Sequence, residues 1–509
     1  MTEKRQYLFT AEADKIQDLL FSSSKLREVA GGSQMLAEFC EKAVIEQFLE
    51  QLVGGGSIIL SGGGTFRILF DSREKAEKCS RYLPEFYRRV LGGTITVAEL
   101  LPVFDQQEAI DQAQTNLMKA KHLGKITNKS PVQTPYLSIC NSCGLSIADG
   151  FNKYEEELYS CERCSRKAEA RKKIKEKFLK KFVKFIDYPD KKALNFPEET
   201  DEVAELDKTG RQYVAYIVAD GNGMGTIFSR CKDFEELTEL SDKLEETINR
   251  SLSIPTDLIL ERIEALKNIP VFPLILGGDD LFILLPAQWA LDFTLRFCRK
   301  FEEQMATLIT DIGLAEPSAN ISPTISAGVV ICKGKFPYLS AYELGNELLY
   351  TAKKVGKEDN CSTVAFTLIT GSSVVKTSEA ESTFQSSYPV YSLDELKQLI
   401  DMRLTLKDLP RTRKEQLEAL FYKAEAITKF DDLRSKWLPE RETLVNRLSK
   451  ELKPKILKAF QELGSTKEDH NWIPKEGNYY HKLPDLLTTW DYLYNLEKKT
   501  SEYFEEKRV

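Results

Sequence analysis

Histidine is scarce in this sequence, and the Walker phosphate-binding motif is missing. Only three histidines occur in 509 residues, at His122, His470 and His481. None of them lies beside a candidate nucleophile or in the spacing of a metal site, so all three are predicted to be surface or packing residues. The motif G-x-x-x-x-G-K-[ST] does not occur either, which excludes a P-loop ATPase.

Long apolar runs are also missing. The longest apolar stretch, around residues 269–292, is interrupted by the sequence GGDD and by Pro286. No run reaches the roughly 18–20 residues that a membrane span requires. The charged N-terminus MTEKRQYLFT lacks the apolar segment of a signal peptide. With 42% apolar and 29% charged residues, the composition is that of a soluble globular protein. We therefore expect a cytoplasmic protein that does not bind a membrane.

Cysteine is present, but a disulfide framework is not expected in such a chain. Cys140 and Cys143 form one C-x-x-C pair, and Cys161 and Cys164 form a second pair 17 residues later. This spacing predicts a four-thiolate zinc site, which would be structural because it leaves no open coordination position. Four free thiols or a redox pair remain the alternative. The other six cysteines are predicted to be reduced packing residues: Cys40, Cys79, Cys231, Cys298, Cys332 and Cys361.

Two regions of the chain share one order of predicted elements. Residues 6–125 and 211–370 both follow the pattern β-α-β-β-α-β of a ferredoxin-like fold. The loop-like sequence AGGS at 30–33 is predicted to interrupt the helical segment 12–51, and Pro255 the helical segment 233–267. Their hairpins align as IILSGGGTFRILFDS and LILGGDDLFILLPA, and only the second has carboxylates in its turn. The sequence therefore predicts an α+β protein with a duplicated domain, one copy catalytic and one degenerate.

The predicted domain boundaries follow from this duplication. After about residue 392, leucines and aromatic residues recur with helical spacing, which predicts a C-terminal helical bundle. We expect a degenerate first domain at 1–125, a zinc-binding module at 126–205, a catalytic second domain at 206–375, a linker at 376–391 and a helical domain at 392–509.

Three aspartates are the candidate catalytic residues. Asp279 and Asp280 lie on a predicted turn between two apolar strands, and Asp220 ends the first strand of the same domain. Strands one and three are neighbours in a ferredoxin-like sheet, so the three carboxylates should meet. Adjacent carboxylates about 4 Å apart repel each other by about 4 kcal/mol at an effective dielectric near 20. A bound Mg²⁺ or Mn²⁺ pair would relieve this repulsion.

Small residues around these aspartates predict a phosphate-binding surface. The glycines of the turn, Gly277 and Gly278, would permit a positive φ and the close approach of a phosphate. The amides and carbonyls of the loop after Asp220 would approach a triphosphate and a metal ion. The alternative is two ordinary β-turns with solvated aspartates. The candidate nucleotide-binding residues of this loop are Gly221, Asn222, Gly223, Met224 and Gly225.

A basic stretch follows the cysteine pairs. Residues 166–184 contain ten Lys or Arg and two Glu. The chain carries a net charge of −7 and has no overall attraction to nucleic acid, so any such binding would need a local patch. The stretch predicts either a solvated helix face or a contact with the backbone of RNA or DNA.

These motifs together resemble the large polymerase-like subunit of type III CRISPR effector complexes. The segment ADKIQDLLFSSSKLREVAGGSQML at 13–36 is similar to that family's first-palm signature, DGNGMG to its metal loop, and GGDD to its catalytic turn. SAGVV followed by ELLYTAKK is similar to the strand and helix whose lysine contacts nucleotide phosphates, which places Lys353 at that position. The resemblance implies two palm domains related to GGDEF cyclases, with a zinc module between them.

The resemblance also implies an activity and partners. ATP would be converted into cyclic oligoadenylates, with one ATP at GGDD and another on the degenerate palm. Guide or target RNA and other effector subunits would be partners. The chain departs from the family at Asn222, where a second acidic residue is usual, and it begins without the family's nuclease domain, so DNase activity is not expected. A catalytically idle RNA-binding subunit and a cyclase that uses GTP remain alternatives.

Overall fold

The computed structural model describes most of the chain. None of the helices in this described part is both long and apolar enough to cross a membrane. The predicted site residues Gly278 and Asp279, and residues 171–177 of the basic stretch, lie outside the described residues. The described residues are 5–23, 25–123, 138–151, 159–170, 178–189, 194–207, 209–263, 267–277, 280–314, 323–370, 383–467 and 470–498.

The first domain is an antiparallel sheet covered by helices. Its strand order is β2-β3-β1-β4, as the predicted ferredoxin-like pattern requires. Strand β5 pairs with the first residues of β1, on the same edge as β4. A π-helical turn at Leu49–Val53 follows α3. The elements are β1 (Gln6–Asp14), α1 (Ile16–Leu20), α2 (Leu26–Phe39), α3 (Lys42–Phe48), β2 (Ser57–Gly62), β3 (Thr65–Phe70), α4 (Arg73–Leu91), β4 (Thr94–Val97), β5 (Leu101–Val103) and α5 (Gln106–His122).

Helix α2 differs from its prediction. The sequence AGGS at 30–33 was expected to interrupt the helix, because glycine weakens a helix interior. All four residues are instead buried within a continuous helix. A Cβ on Gly32 would lie 3.1 Å from Cδ2 of Leu20 and 3.2 Å from Cε of Lys167. Close packing against neighbouring elements therefore outweighs the low helix propensity here.

A small module that contains the four cysteines follows the first domain in the chain and precedes the second. It contains a two-stranded ribbon and the helix that starts immediately after Cys161. Helix α6 packs against α2 of the first domain. The elements of this region are β6 (Gly150–Phe151), β7 (Tyr159–Ser160), α6 (Glu162–Ala170), α7 (Phe178–Phe185) and α8 (Thr200–Ala204).

The second domain repeats the ferredoxin-like arrangement with extra strands at one edge. The strand order is β14-β12-β11-β8-β10-β9, so β8 lies between β10 and β11 as predicted. Helix α10 passes through Pro255, where a break was predicted; residues on both sides of the proline are buried, and packing maintains the helix. The elements are β8 (Tyr213–Asn222), α9 (Met224–Phe228), α10 (Phe234–Leu260), β9 (Phe272–Gly277), β10 (Asp280–Pro286), a 3₁₀ turn (Ala287–Trp289), α11 (Ala290–Asp311), β11 (Thr324–Lys333), α12 (Tyr338–Asp359) and β12 (Thr363–Leu368).

The C-terminal region is mainly helical but also contains a small sheet, which the sequence did not predict. Strands β13, β16 and β15 form this sheet. The buried His470 packs against Phe430, and the buried His481 packs against Phe421. His122 is exposed. The elements are β13 (Phe384–Gln385), β14 (Tyr391–Ser392), α13 (Leu393–Thr405), α14 (Arg411–Ala424), α15 (Phe430–Asp432), a π turn (Leu433–Trp437), α16 (Leu438–Asn446), α17 (Leu452–Glu462), β15 (Ile473–Lys475), β16 (Asn478–Tyr480), α18 (Leu483–Thr488) and a 3₁₀ turn (Trp490–Tyr492).

Part of the predicted linker at 376–391 is packed structure. Phe384 is fully buried and belongs to β13, which pairs with β16. Tyr391 starts β14, pairs with Val364 of β12 and is buried. The serine-rich composition suggested a linker, but these two apolar side chains tie residues 383–391 to both neighbouring sheets. Residues 376–382 lie outside the described part.

The two ferredoxin-like domains share a continuous aromatic contact. The ring of Phe21, from the end of α1, lies 5.2 Å from Phe282 of β10 and 4.8 Å from Tyr342 of α12. Burial of aromatic side chains is among the largest apolar contributions to an interface. The first domain therefore rests directly on the second-domain strand that leads away from the GGDD turn.

Two glycines set the distance between α12 and the second sheet. A Cβ on Gly328 of β11 would overlap the carbonyl oxygen of Gly345 in α12. A Cβ on Gly345 would lie 2.6 Å from Cγ2 of Val218 in β8. The close approach of this helix places Lys353 beside the carboxylate end of β8.

Substitution of Gly328 by alanine should separate α12 from the sheet. The added methyl group meets backbone, which cannot rotate away, so we expect a loss of about 1–3 kcal/mol of stability. The matched control is Gly62→Ala, because a Cβ there would have no atom within 4 Å. Calorimetric melting of both variants tests this. Equal melting temperatures for Gly328→Ala and the parent protein would contradict the packing argument.

Candidate functional site

Asp220 and Asp280 lie side by side at one end of the second sheet. Leu281 pairs with Ala219 across β10 and β8, so the next position on each strand holds Asp280 and Asp220. Side chains in such cross-strand positions have Cβ atoms about 4.5–5.5 Å apart. Both aspartates line a cavity of about 160 Å³ between the two ferredoxin-like domains. The structure therefore brings together the two described members of the predicted carboxylate set.

Burial and the nearby charge of Asp220 both disfavour the ionised form of Asp280. Loss of hydration within the cavity, followed by the charge of Asp220, raises the pKa of Asp280 to about 6, although part of its side chain stays open to solvent. Lys353 of α12 donates a hydrogen bond to Oδ2 of Asp220 and forms an ion pair with it. Its positive charge opposes the rise in the pKa of Asp280. Lys353 thus lies at the predicted site and contacts a carboxylate there.

The first domain has a carboxylate at only one of the two corresponding positions. One residue pair closes each two-residue hairpin turn, Gly62–Thr65 in the first domain and Gly277–Asp280 in the second. Thr65 therefore corresponds to Asp280, and Glu12, which pairs with Thr65 on β1, corresponds to Asp220. The first domain thus lacks the second member of the carboxylate pair.

The loop after Asp220 divides into residues that face open space and residues that support the fold. Gly223 and Gly225 are exposed, and no atom lies within 4 Å of where a Cβ would be. Gly223 has φ of 68°, which favours glycine. Gly221 is a buried residue of β8 that pairs with Ile325, and Met224 is packed in the core. Only the two exposed glycines leave room for a large ligand.

Asn222 uses its side chain inside the protein. Its Nδ2 donates to Oγ1 of Thr324 at 3.0 Å, and its Oδ1 accepts from Oγ of Ser326 at 3.1 Å. Ser326 in turn lies 3.0 Å from Oγ1 of Thr363, which donates to the Ala352 carbonyl. A carboxylate at position 222 could not donate the hydrogen bond that Oγ1 of Thr324 accepts from Asn222. Asn222 is therefore bonded into a network that links β8, β11, β12 and α12.

Gly277 has a role that differs from the one its sequence suggested. It was expected to provide a positive φ, but no positive φ occurs there. A Cβ on Gly277 would instead lie 3.1 Å from the Cα of Gly63, in the glycine turn of the first domain. The missing side chain allows the two equivalent hairpin turns to touch.

The first domain also brings charge to the site, which the sequence did not reveal. Lys121 of α5 donates to Glu12 of β1 at 2.5 Å, and both charges act on Asp280 after the larger effects of burial, Asp220 and Lys353. The two residues of this pair lie 109 positions apart in the sequence. No motif surrounds either one, so only the folded topology identifies them.

Both domains form the wall of the cavity. The first contributes residues of α1 and α2, and the second contributes β8, β9, β10 and α12. Tyr342 and Asn346 lie on the same face of α12, four residues apart, and both line the cavity. The first-domain residues are Ile16, Gln17, Leu20, Ser33, Leu36, Ala37 and Gly63.

The four paired cysteines converge as predicted. The sulfur atoms of Cys140, Cys143, Cys161 and Cys164 all lie within 4.8 Å of one another. In a tetrahedral zinc site with Zn–S bonds of about 2.3 Å, the sulfur atoms are about 3.8 Å apart. A hydrogen bond with Cys161 lowers the pKa of Cys143, as expected where thiols share protons at close range. The donor set and its dimensions fit a structural zinc ion.

The described start of the basic stretch is not a free cationic surface. Lys167 is buried, and its burial lowers its pKa to about 8. Arg166 donates to the carbonyl oxygens of Arg89 at 2.8 Å and Val90 at 3.4 Å, at the end of α4. Both side chains therefore anchor α6 to the first domain.

The comparisons with known proteins agree with this architecture. Residues 213–362 match the second palm domain of Cas10/Cmr2. No curated protein matches the chain in sequence. A chain in the crystal structure of the Csm1–Csm4 cassette in complex with cA4 is 14% identical, with a TM-score of 0.59 over 97% of this chain and 70% of that one. The cassette in complex with one ATP gives 13% identity and a TM-score of 0.58 over the same shares. The similarity in fold thus extends well beyond residues 213–362.

Lys353 should compete with a metal ion for Asp220. Replacing it with methionine removes the cation that now pairs with that carboxylate, so Mn²⁺ should bind on the order of two- to fivefold more tightly, the range expected for a partly exposed ion pair. Lys354→Met, on the exposed face of the same helix, is the matched control. Calorimetric Mn²⁺ titrations measure both variants, and unchanged affinity in Lys353→Met would contradict the competition.

The cysteine cluster should retain one zinc ion per chain. Cys143→Ser should lose zinc and melt at a lower temperature, because a structural zinc site contributes its binding energy to folding. Cys361→Ser is the control, since this half-buried cysteine lies outside the cluster. Elemental analysis and thermal melting measure the two effects. Full zinc content in Cys143→Ser would show that the cluster is not the zinc site.

Proposed function

We propose that the chain is a nucleotidyltransferase, because residues 213–362 match the second palm domain of Cas10/Cmr2 and the chain as a whole is similar in fold to a chain of the Csm1–Csm4 cassette. It converts ATP into cyclic oligoadenylates in type III CRISPR defence. The observation that carries this proposal is the Asp220–Asp280 pair on the wall of the inter-domain cavity. Similar folds have been crystallised with cA4 and with ATP, which supports an adenine nucleotide as the ligand.

The carboxylates would hold Mg²⁺ or Mn²⁺. Oxygen donors alone select such hard ions. Burial, followed by the charge of Asp220, raises the pKa of Asp280, and Lys353 offsets only part of this rise. Asp279, outside the described residues, is the proposed third ligand. When bound, the ions would activate the attacking ribose hydroxyl and stabilise the charge that develops on the leaving pyrophosphate.

The protein residues would bind and orient two nucleotides. The open space at Gly223 and Gly225 suits the triphosphate of the nucleotide at GGDD, with Gly277 and Gly278 at its edge. Lys353 would move from Asp220 to the phosphates once divalent ions neutralise that carboxylate. Gln17 and Ser33 of the first domain face the same cavity and would position the second nucleotide. Gly221, Asn222 and Met224 would act by holding the loop in place.

The domain assignment follows as part of the proposal. The degenerate palm comprises residues 1–125 and the catalytic palm residues 206–375. The zinc module lies between them at 126–205, and the helical region at 392–509 is packed through residues 383–391. In a type III complex, the partners would be other effector subunits and guide or target RNA. The anchored Lys167 and Arg166 favour a structural role for the start of the basic stretch.

Loss of either described carboxylate should abolish product formation. Asp220→Asn and Asp280→Asn preserve shape but remove charge, and each should reduce cyclic oligoadenylate synthesis by at least about a hundredfold, since even outer partners of metal ligands are worth 10- to 100-fold. The matched control is Asp311→Asn, at the exposed end of α11. Chromatography of products from labelled ATP with Mg²⁺ or Mn²⁺, with and without target RNA, measures the effect.

Three other results would redirect the proposal. Equal rates in the parent protein and Asp280→Asn would show that the site is wrongly assigned. RNA binding without ATP turnover under every condition would favour a catalytically idle subunit. Products made from GTP in preference to ATP would identify a different cyclase.

A further inference from the structure

We propose that the zinc module holds one wall of the nucleotide cavity in place through Lys167 and Ser142, which act as positioning residues. The idea rests on the proposed function, because it concerns how tightly the cavity binds ATP. Neither residue lines the cavity itself. Each reaches from the cysteine cluster into one of the two first-domain helices that do.

Lys167 caps helix α1 from inside the protein. It lies three residues, or about one helical turn, after Cys164 and is 1% exposed. Its ammonium group donates to the carbonyl oxygen of Leu19, to that of Leu20 at 3.4 Å and to Oγ of Ser22 at 3.1 Å. A cation at the C-terminal end of a helix satisfies carbonyl groups that have no partner within the helix.

Ser142 makes the second connection. It lies between the ligands Cys140 and Cys143, and its hydroxyl group donates to Oε1 of Glu28 at 2.9 Å. Glu28 is fully buried in the first turn of α2. The turn between two cysteines of the cluster therefore supplies the hydrogen bond to one oxygen of a buried carboxylate of α2.

The two helices that receive these contacts form the first-domain wall of the cavity. Helix α1 contributes Ile16, Gln17 and Leu20, and α2 contributes Ser33 and Leu36. Helix α1 has only five residues, too few for stability on its own, so its position depends on tertiary contacts. Gly32 of α2 lies against both Leu20 and the Lys167 stem, which packs the three elements together.

Arg166 offers a matched comparison on the same helix. It also reaches carbonyl groups at the end of a first-domain helix, but that helix is α4, which does not line the cavity. Loss of Arg166 removes hydrogen bonds that anchor the module to α4 and none of the hydrogen bonds to α1 and α2. A specific effect on the cavity should therefore follow the loss of Lys167 and not the loss of Arg166.

The test compares Lys167→Met with Arg166→Met in the full chain. Methionine keeps the apolar stem and removes the charge. We expect Lys167→Met to retain zinc, to bind a fluorescent ATP analogue with Mg²⁺ about fivefold or more weakly, and to exchange amide hydrogens faster in residues 16–23. Mn²⁺ binding at Asp220 should not change, which separates this effect from general unfolding. Arg166→Met should match the parent protein in analogue affinity and in exchange at 16–23.

Each outcome decides between the alternatives. Equal analogue affinity and equal exchange at 16–23 in Lys167→Met and the parent protein would overturn the inference. If Lys167→Met loses zinc, Ser142→Ala is the deciding variant, because it removes the contact with Glu28 and keeps all four thiols. Unchanged analogue affinity and unchanged amide exchange in Ser142→Ala would then overturn the inference. If the parent protein binds no ATP analogue, the proposed function fails, and exchange in the nucleotide-free proteins still decides whether the module holds α1.

Discussion

The repulsion between two carboxylates on adjacent strands is the constraint on which this site depends. Asp220 and Asp280 directly follow the last pair of β8 with β10, Ala219 with Leu281, so the sheet keeps the two residues close together. Lys353 relieves part of the repulsion, and its position is set by two glycines that bring α12 against the sheet. The polar network around Asn222 ties β8 to α12 through β11 and β12. The fold thus holds two carboxylates close together, and this arrangement is the basis of the proposed metal site.

Duplication explains how the cavity is built. Two copies of one fold meet through equivalent hairpin turns, with Gly277 against Gly63. The second copy has Asp280 beside its hairpin turn, and the first has Thr65 at that position. The first copy contributes the helices α1 and α2 to the cavity wall and the Glu12–Lys121 pair to its charge. The two copies therefore contribute different parts of one cavity.

The sequence predicted the features whose signals are local. The alternating hairpins, the apolar strand that leads to Asp220 and the C-x-x-C spacing identified both sheets and the cysteine cluster, although the strand continues to Asn222. Contacts between distant segments left no such signal: the Glu12–Lys121 pair, the contact of Gly277 with Gly63 and the burial of Lys167 within an apparently cationic stretch. Local composition also misjudged AGGS in α2 and Pro255 in α10, because tertiary packing outweighs propensity there.

The contact between the two hairpin turns restricts the residue at position 277. A Cβ there would lie 3.1 Å from the Cα of Gly63, closer than side chains usually pack, so a larger residue would push the two turns apart. Gly62 carries no such restriction, because a Cβ there would have no atom within 4 Å. Selection for a small residue at position 277 therefore arises from the docking of the two copies and would continue even where catalysis is lost.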